Sequence, residues 1–213
     1  MNLKQKSQHM RGFTIIEMIV VIAIIAVVTT LVLFNNARLN SNILVSNAAY
    51  EIGLIVRESQ VAGLGVKSST DGEFTSSHGV HIEMSTPDTV TMFADINDNG
   101  VYDAADGEMT QQYVMNNSRS GTIIGLCTSD TLSPITSIYC TDINTKASLD
   151  VVFKRPNPEA FFKTRLTATD GAVDYVGSVV INVGFVDDIC RSVIIQKTGA
   201  VEINQNNCVP MTQ

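Results

Sequence analysis

The longest apolar stretch in the chain lies near its beginning, over residues 13–34. These 22 residues include only four polar side chains, which are Thr14, Glu17, Thr29 and Thr30. As an α-helix rising about 1.5 Å per residue, the stretch would be about 33 Å long, which is enough to cross a bilayer. The pattern therefore predicts a membrane-spanning helix with one acidic residue inside it.

The chain becomes more polar after residue 34, but apolar or small residues keep recurring at helical spacing. They are separated by steps of 4, 4, 3, 4 and 3, at Leu44, Ala48, Ile52, Ile55, Ser59 and Ala62. Such spacing marks one face of a helix, and Gly63 and Gly65 follow as stop signals. We therefore expect one nearly continuous helix over residues 13 to 64, on the order of 78 Å long. Its first half is apolar all round and its second half is amphipathic.

From residue 78 onward, short runs with strand character alternate with turn-rich segments. The pattern predicts strands at residues 80–84, 89–94, 111–115, 122–126, 149–153, 178–183, 192–197 and 200–204. Residues 68–78 and 128–148 are polar enough to predict loops. The predicted fold class is therefore α+β, with a long N-terminal helix packed on an antiparallel, β-rich globular head.

Charge is distributed unevenly along the chain, which has 14 Lys and Arg residues against 21 Asp and Glu residues. Three of the cations, Lys4, Lys6 and Arg11, lie in the first twelve residues, which contain no acid. Because cations precede the apolar stretch and no comparable cluster follows it, residues 1–12 should remain in the cytoplasm and the head should lie outside. The acid excess of the head disfavours nucleic acid as a partner.

Two ordinary explanations of the apolar stretch leave Glu17 without a reason. A cleaved secretory signal has a shorter apolar region followed by a small-residue cleavage site. A plain signal anchor fits the hydropathy better, but a carboxylate five residues into its apolar segment costs free energy in hydrocarbon. Glu17 is therefore the residue that most needs an explanation.

Residues 11–18, Arg-Gly-Phe-Thr-Ile-Ile-Glu-Met, resemble the prepilin signature shared by type IV pilins and type II secretion pseudopilins. The resemblance implies that a membrane-embedded aspartyl peptidase cuts after Gly12 and that the new amine of Phe13 is methylated. That amine keeps its positive charge. We therefore expect it to pair with Glu17 of a neighbouring subunit or of its own, and to set the axial register of assembly.

The resemblance also implies four segments: a cleaved basic leader (1–12), a transmembrane and assembly helix (13–34), the amphipathic half of the same helix (35–64) and an extracytoplasmic head (65–213). The expected partners are prepilin peptidase, other pilin or pseudopilin subunits, an inner-membrane assembly platform and, before assembly, membrane lipid. The chain would begin as a single-pass protein of the cytoplasmic membrane and end in a pilus or pseudopilus. A long helix followed by a β-rich head that closes with a Thr-Gly hairpin is most similar to H-type minor pseudopilins and minor pilins.

A second hypothesis is a single-span membrane protein with an extracytoplasmic binding domain that never polymerises. The state of the N-terminus separates the two hypotheses. A mature chain that begins at methylated Phe13 supports the subunit, and retention of residues 1–12 supports the simple anchor.

Four cysteines, Cys127, Cys140, Cys190 and Cys208, lie in the second half of the chain without CxxC spacing. This spacing disfavours a zinc site and favours disulfides, which form outside the cytosol. Residues that face each other in an antiparallel hairpin have residue numbers with a constant sum, so each pair is centred on the turn. The pair of Cys190 and Cys208 is centred on Gly199, which lies within a turn signal. We predict Cys190–Cys208 and Cys127–Cys140, with two other pairings and buried free thiols as alternatives.

Residues 95–106 resemble a calcium-binding loop of the EF-hand type. Oxygen-bearing side chains stand at relative positions 1, 3, 5, 9 and 12, at Asp95, Asn97, Asn99, Asp103 and Asp106. Gly100 occupies position 6 and Val101 would offer its carbonyl at position 7. The loop departs from the pattern at position 12, where Asp106 replaces Glu, although Glu108 is near. We expect that no cofactor is required; calcium is the one candidate, and a metal-free turn at Asn99-Gly100 is the alternative.

Catalytic signals are weak in this sequence. The histidines are His9 in the leader and His78 and His81 at a strand start, where we expect them on the surface. No nucleophile and base stand in a recognisable pattern, and the glycine pairs lack the lysine and spacing of a phosphate loop. We therefore expect a peptidase substrate rather than an enzyme.

Overall fold

The computed structural model describes residues 12–65, 77–115, 121–129, 138–142, 147–165, 173–175, 177–185, 189–204 and 208. Side chains are described for these residues except 34–40, 138–139, 141–142 and 173–175. The chain divides into two compact units, Met1–Asn40 and Ser41–Gln213. The second unit contains the head, and the first contains the apolar part of the helix.

One helix and eleven strands make up the described structure. Helix α1 spans Ile15–Leu64, which agrees with the predicted continuous helix. The strands are β1 (Ser77–Glu83), β2 (Thr89–Asp95), β3 (Met109–Val114), β4 (Thr122–Ser129), β5 (Ile138–Asp142), β6 (Ser148–Phe153), β7 (Ala160–Arg165), β8 (Val173–Tyr175), β9 (Ser178–Gly184), β10 (Cys190–Gln196) and β11 (Val201–Asn204).

The strands form two antiparallel sheets. The six-stranded sheet has the order β3-β2-β1-β6-β7-β8, and the five-stranded sheet has the order β11-β10-β9-β4-β5. Each recorded strand pair is antiparallel. Together with α1, the sheets confirm the predicted α+β class with an antiparallel head.

The head half of α1 buries the face that the sequence pattern predicts. Ala48, Ile52, Ile55, Ser59 and Ala62 are buried, whereas the first residue of the predicted face, Leu44, is only half-buried. Side chains of this helix face and of both sheets form one hydrophobic cluster. Because burying apolar area is the main favourable contribution to folding, this three-part cluster holds the head together.

The eight predicted strands are present with small shifts at their ends, but three further strands were missed. The predicted loop at 128–148 is wrong in part, because β5 lies inside it and pairs with β4. Strand β7 has alternating buried and less buried residues and pairs with β6, the strand just before it. Of the other predicted loop, residues 68–76 lie outside the described residues, and the last two residues belong to β1.

The structure joins the cysteines in the predicted pairs. Cys127 and Cys140 lie directly opposite each other on β4 and β5, with Cα atoms 4.0 Å apart. Cys190 and Cys208 are also bonded, with Cα atoms 5.5 Å apart. Both disulfides therefore tie a terminal strand or segment of the five-stranded sheet to its neighbour.

The predicted register of the last hairpin is wrong by one residue. Val193 pairs with Ile203 and Ile195 with Val201, so the hairpin centres on residue 198 rather than on Gly199. Gly199 donates its N–H to the Gln196 carbonyl at 2.8 Å and has φ 82°, a left-handed conformation that glycine accommodates. The loop therefore has three residues and ends on the glycine, a common hairpin form.

Substituting Gly63 tests the docking of α1 on the six-stranded sheet. A Cβ at this position would lie 2.4 Å from the Phe153 carbonyl oxygen, so Gly63→Ala should lower the free energy of unfolding by about 1–3 kcal/mol. Chemical denaturation of the detergent-solubilised chain measures the change.

Gly53→Ala is the matched control in the same helix. Its added Cβ would meet side-chain atoms of Ile203, at 3.3 Å, and of Val201, at 3.8 Å, rather than backbone, and alanine is the better helix former. We expect the free energy of unfolding to change by less than about 1 kcal/mol. Equal destabilisation by both variants would contradict close packing at Gly63.

Candidate functional site

The predicted cleavage point lies just before α1. Residues Gly12, Phe13 and Thr14 are non-helical and exposed, and the Phe13 side chain is 79% exposed. No described atom lies within 4 Å of a Cβ built at Gly12. The Gly12–Phe13 bond is therefore accessible, and packing within the described chain does not demand glycine at position 12.

Thr14 caps the start of α1. The Glu17 N–H donates to Thr14 Oγ1 at 3.3 Å, and the Met18 N–H donates to the Thr14 carbonyl at 3.3 Å. Threonine is a favoured N-cap, and Thr-x-x-Glu is the sequence form of a capping box. This role of Thr14 was not predicted, although the Thr14-x-x-Glu17 spacing is typical of a capping box.

Glu17 occupies the first turn of the helix. The unpaired N–H groups at a helix N-terminus attract negative charge, so a carboxylate is favoured there over the middle of the helix. Position alone therefore reduces part of the cost of an acid in this apolar segment. It does not supply the cation that Glu17 would need in hydrocarbon.

The apolar part of α1 is exposed within the part of the chain that the structure describes. Residues Ile15–Leu33 are apolar and long enough to cross a membrane, and none of this segment is buried within the structure. Thr29 and Thr30 donate their hydroxyl protons to the carbonyls of Ile25 and Ala26, each at 2.7 Å. Both hydroxyls are thus satisfied inside the helix, and Glu17 remains the acid of the segment.

Comparison with known proteins gives one match, at this same segment. Residues 8–33 match the family model described as the prokaryotic N-terminal methylation motif. The chain carries the prepilin signature of type IV pilins and pseudopilins. No curated protein and no solved structure matched the chain.

The prepilin signature supports a membrane-anchored precursor that is pilin-like or pseudopilin-like. It implies processing by prepilin peptidase and assembly with other pilin subunits. The matched residues include Gly12, Phe13 and Glu17, whose individual roles stay predictions. The match ends at residue 33, before the head begins.

A second candidate site is the loop between β2 and β3, which is built around two buried carboxylates. Asp95 accepts the N–H groups of Asn99 and Gly100, both at 3.0 Å. Glu108 accepts the N–H groups of Ile96 and Asp103, at 3.0 and 2.9 Å. Each carboxylate therefore ties a part of the loop to the end of a strand.

The other predicted calcium ligands make local contacts of their own. Asn97 Nδ2 donates to Asp106 Oδ2 at 2.9 Å, and Asn99 Oδ1 accepts the Val101 N–H at 2.6 Å. Asp103 accepts the Ala105 N–H at 3.0 Å. Within the residues that the structure describes, no three Asp, Glu, His or Cys side chains converge to hold a metal ion. Calcium binding therefore stays a prediction.

Burial makes the two central carboxylates harder to ionise. Desolvation raises the pKa of Asp95 above its ordinary value, and the charge of Asp98 adds to the effect. Desolvation also raises the pKa of Glu108, with a further contribution from the charge of Asp95. The folded chain therefore holds the protons of these two carboxyl groups more tightly than the unfolded chain does. The contribution of the two groups to the free energy of unfolding falls as pH rises through the raised pKa values. At neutral pH, a bound cation would offset the cost of keeping both carboxylates charged and buried.

The expected surface positions of the two head histidines are wrong. His78 is fully buried, and His81 is mostly buried beside the ring of Tyr102, at a centroid distance of 4.9 Å. His81 Nδ1 lies 2.7 Å from Asp150 Oδ1, which also accepts the Tyr102 N–H. The loop thus packs across the outer face of β1 and β6, and His81 helps to hold it there.

Calcium titration of the full chain in detergent tests the loop. The oxygen donors predict saturable heat and a higher melting temperature at millimolar calcium, both lost in Asp95→Ala. Asp106→Asn changes an exposed residue of the loop and should weaken binding without unfolding the head.

The matched control is Glu202→Gln, which removes an exposed acid on β11 and should bind calcium as the unsubstituted chain does. Absence of heat and of a thermal shift in the unsubstituted chain would exclude a calcium role for this loop.

Proposed function

We propose that this protein is a structural subunit of a type IV pilus or a type II secretion pseudopilus. The observation that carries the proposal is an exposed apolar helix that starts just after an accessible Gly12–Phe13 bond and contains Glu17 in its first turn. The match of residues 8–33 to the N-terminal methylation motif supports it independently of the geometry. The proposed role is mechanical rather than enzymatic.

The first proposed step is insertion into the cytoplasmic membrane with the head outside the cytosol. Cations before the apolar helix favour this orientation, and the two disulfides of the head suit a compartment where thiols are oxidised. Lipid is then the first environment of residues 15–33. Prepilin peptidase would reach the Gly12–Phe13 bond from the cytoplasmic side.

The second proposed step is cleavage after Gly12 with methylation of Phe13. Cleavage removes Lys4, Lys6 and Arg11 and creates a cationic amine next to the helix. That amine is close in sequence to Glu17, so it is a suitable counter-ion for the acid. An acid paired with a cation is far less costly in an apolar environment than an acid alone.

The third proposed step is lateral packing of the cut helices, organised by an inner-membrane assembly platform. In a bundle, the Phe13 amine of one subunit can pair with Glu17 of the next or of its own chain and so fix the axial register. The large β-rich head favours a minor subunit that is used in fewer copies than the main one. Head contacts with nucleic acid are not expected, because the chain has a net charge of −7.

Mass analysis of the mature N-terminus tests the processing step. We expect a chain that begins at methylated Phe13, because the bond before it is exposed and outside the helix. Gly12→Val should block cleavage without altering the fold, since open space surrounds a Cβ at this position. A mature chain that retains residues 1–12 would instead support a single-span anchor that never polymerises.

Substitution of Glu17 tests the assembly step. Glu17→Ala and Glu17→Gln should still insert and be cleaved, but their recovery in sheared filaments should fall at least tenfold, because the counter-ion to the Phe13 amine is lost. Quantitative blotting of the filament and membrane fractions measures this ratio.

Thr29→Ala is the matched control, because it removes a hydroxyl that bonds only within its own helix. Its recovery in filaments should equal that of the unsubstituted chain. Normal filament incorporation of both Glu17 variants would refute the pairing.

A further inference from the structure

On the described strands of the head, exposed large apolar side chains lie on β3 and β7. They are Met109 and Val114 on β3 and Phe161 on β7. Strand β3 ends the six-stranded sheet on one side, and β7 is next to the terminal β8 on the other. The two patches therefore lie toward opposite edges of one sheet.

Val114 lines a groove between the head half of α1 and β3, whereas Met109, at the other end of β3, lies outside it. The groove has a volume of about 420 Å³. Leu54 and Val114 line it and are 66% and 67% exposed. Its two charged lining residues, Glu51 and Glu58, are both acidic. We call this surface the α1–β3 groove; it offers apolar area with an acidic rim.

The wall of the groove is fixed by a bond between the helix and the strand. Tyr113 donates its hydroxyl proton to Glu58 Oε2 at 2.9 Å. Burial and the bond to this carboxylate raise the pKa of Tyr113 to about 12, so the phenol stays protonated at neutral pH. The groove is thus a preformed feature of the head.

The second patch lies on β7. Residues Phe161, Lys163 and Arg165 alternate along the strand and so point to the same side of the sheet, which we call the β7 face. Lys154 Nζ lies 6.0 Å from the centre of the Phe161 ring, which adds a cation beside the aromatic side chain. The β7 face therefore combines one exposed aromatic ring with basic groups.

Two acids near the β7 face already have partners. Asp98 is bonded to Lys154, and Asp150 is bonded to His81. Asp150 also stands opposite Lys163 in the β6–β7 pairing. These contacts leave Arg165 at the end of β7 as the most exposed cation of the β7 face.

We propose that the α1–β3 groove binds the β7 face of a second copy of this chain. Phe161 would cover Leu54 and Val114, which removes apolar surface of both copies from water. The acidic rim would meet Arg165, so the charges would set the orientation of the contact. The inference rests on the proposed assembly into a filament and adds the head surfaces that meet within it.

The contact would join two different surfaces and would therefore be heterologous. A heterologous contact leaves one unused groove at one end and one unused β7 face at the other, and it extends into a helical filament when its rotation does not close a ring. This is the symmetry that a filament needs. A short run of adjacent copies would be enough to form the contact.

Cysteine cross-linking in filaments tests the contact. The full chain carrying both Leu54→Cys and Phe161→Cys is expressed in the producing cells and treated with a short bis-maleimide. The native cysteines should not react, because all four are in disulfides. We expect covalent dimers in the sheared filament fraction, with larger products where three or more copies are adjacent.

Single variants and a displaced pair serve as controls. Leu54→Cys alone and Phe161→Cys alone should each remain monomeric, because a heterologous contact needs both surfaces. The pair Leu54→Cys with Glu202→Cys should also give no dimers, since Glu202 lies on β11 of the other sheet. Dimers from Leu54→Cys alone would indicate a symmetric contact and overturn the inference.

Charge reversal gives an independent readout of the same contact. Glu51→Lys or Arg165→Glu should each reduce the cross-link yield at least threefold, and the two together in one chain should restore it. Glu51 is chosen because Glu58 holds Tyr113. Glu202→Lys makes the same charge change outside both surfaces and should leave the yield unchanged. Absence of rescue in the double variant would overturn the proposed pairing of charges.

The outcomes separate this inference from the proposed function. A chain that is cut before Phe13 and recovered in filaments, but that gives no covalent dimers, overturns the head contact and leaves the filament role intact. Cross-linked products that contain only a different protein overturn the choice of a second copy. A chain that remains uncut and absent from filaments refutes the proposed function, and the head contact with it.

Discussion

The exposed apolar surface of α1 is the constraint on which the behaviour of this chain depends. Fifteen large apolar side chains between Phe13 and Leu33 are exposed. At about 1.5–3 kcal/mol for each side chain removed from water, leaving them hydrated costs on the order of tens of kcal/mol. That exceeds the usual stability of a folded domain, about 5–15 kcal/mol. The segment therefore has to lie in lipid or against other apolar helices.

The head half of α1 buries apolar side chains within the chain itself, and on one face only. From residue 41 onward, α1 buries Ala48, Ile52 and Ile55 in a cluster with both sheets. Its other side keeps Leu54 and Val61 exposed. The pattern thus changes along one helix from apolar all round to a single buried face, and this change separates the part whose apolar side chains need an external partner from the part that buries them within the chain.

Short-range sequence patterns correctly predicted the elements whose structure depends mainly on neighbouring residues. The apolar tract, the helical face at Ala48, Ile52 and Ile55 and the pairing of Cys127 with Cys140 all follow from spacing within a short stretch of sequence. Strands β5 and β7 were missed although each pairs with the strand just before it, because a strand depends on its cross-strand neighbours as well as on its own sequence pattern. The hairpin register failed for a related reason, since it depends on which residue of the turn takes the left-handed conformation.

In the candidate sites too, some features were evident from the local sequence and others only from the folded structure. The apolar context made Glu17 stand out, but its N-cap at Thr14 became evident only with the backbone geometry. In the β2–β3 loop, the sequence indicated oxygen donors without showing how they are used. In the structure, Asp95 and Glu108 accept hydrogen bonds from backbone N–H groups, because buried amides need acceptors whether or not a cation is present. His78 was misplaced because a polar residue type does not reveal burial within β1.

Glu17 links membrane insertion to assembly in the proposed function. An isolated carboxylate costs a few kcal/mol in hydrocarbon by insertion scales, although a helix N-terminus offsets part of that cost. Lipid can satisfy the apolar side chains of α1 but offers no fixed cation to Glu17. A bundle of cut helices satisfies both, because it supplies apolar neighbours and a Phe13 amine together. The same acid that makes the membrane a poor final environment therefore favours the bundle, and cleavage determines when that preference takes effect.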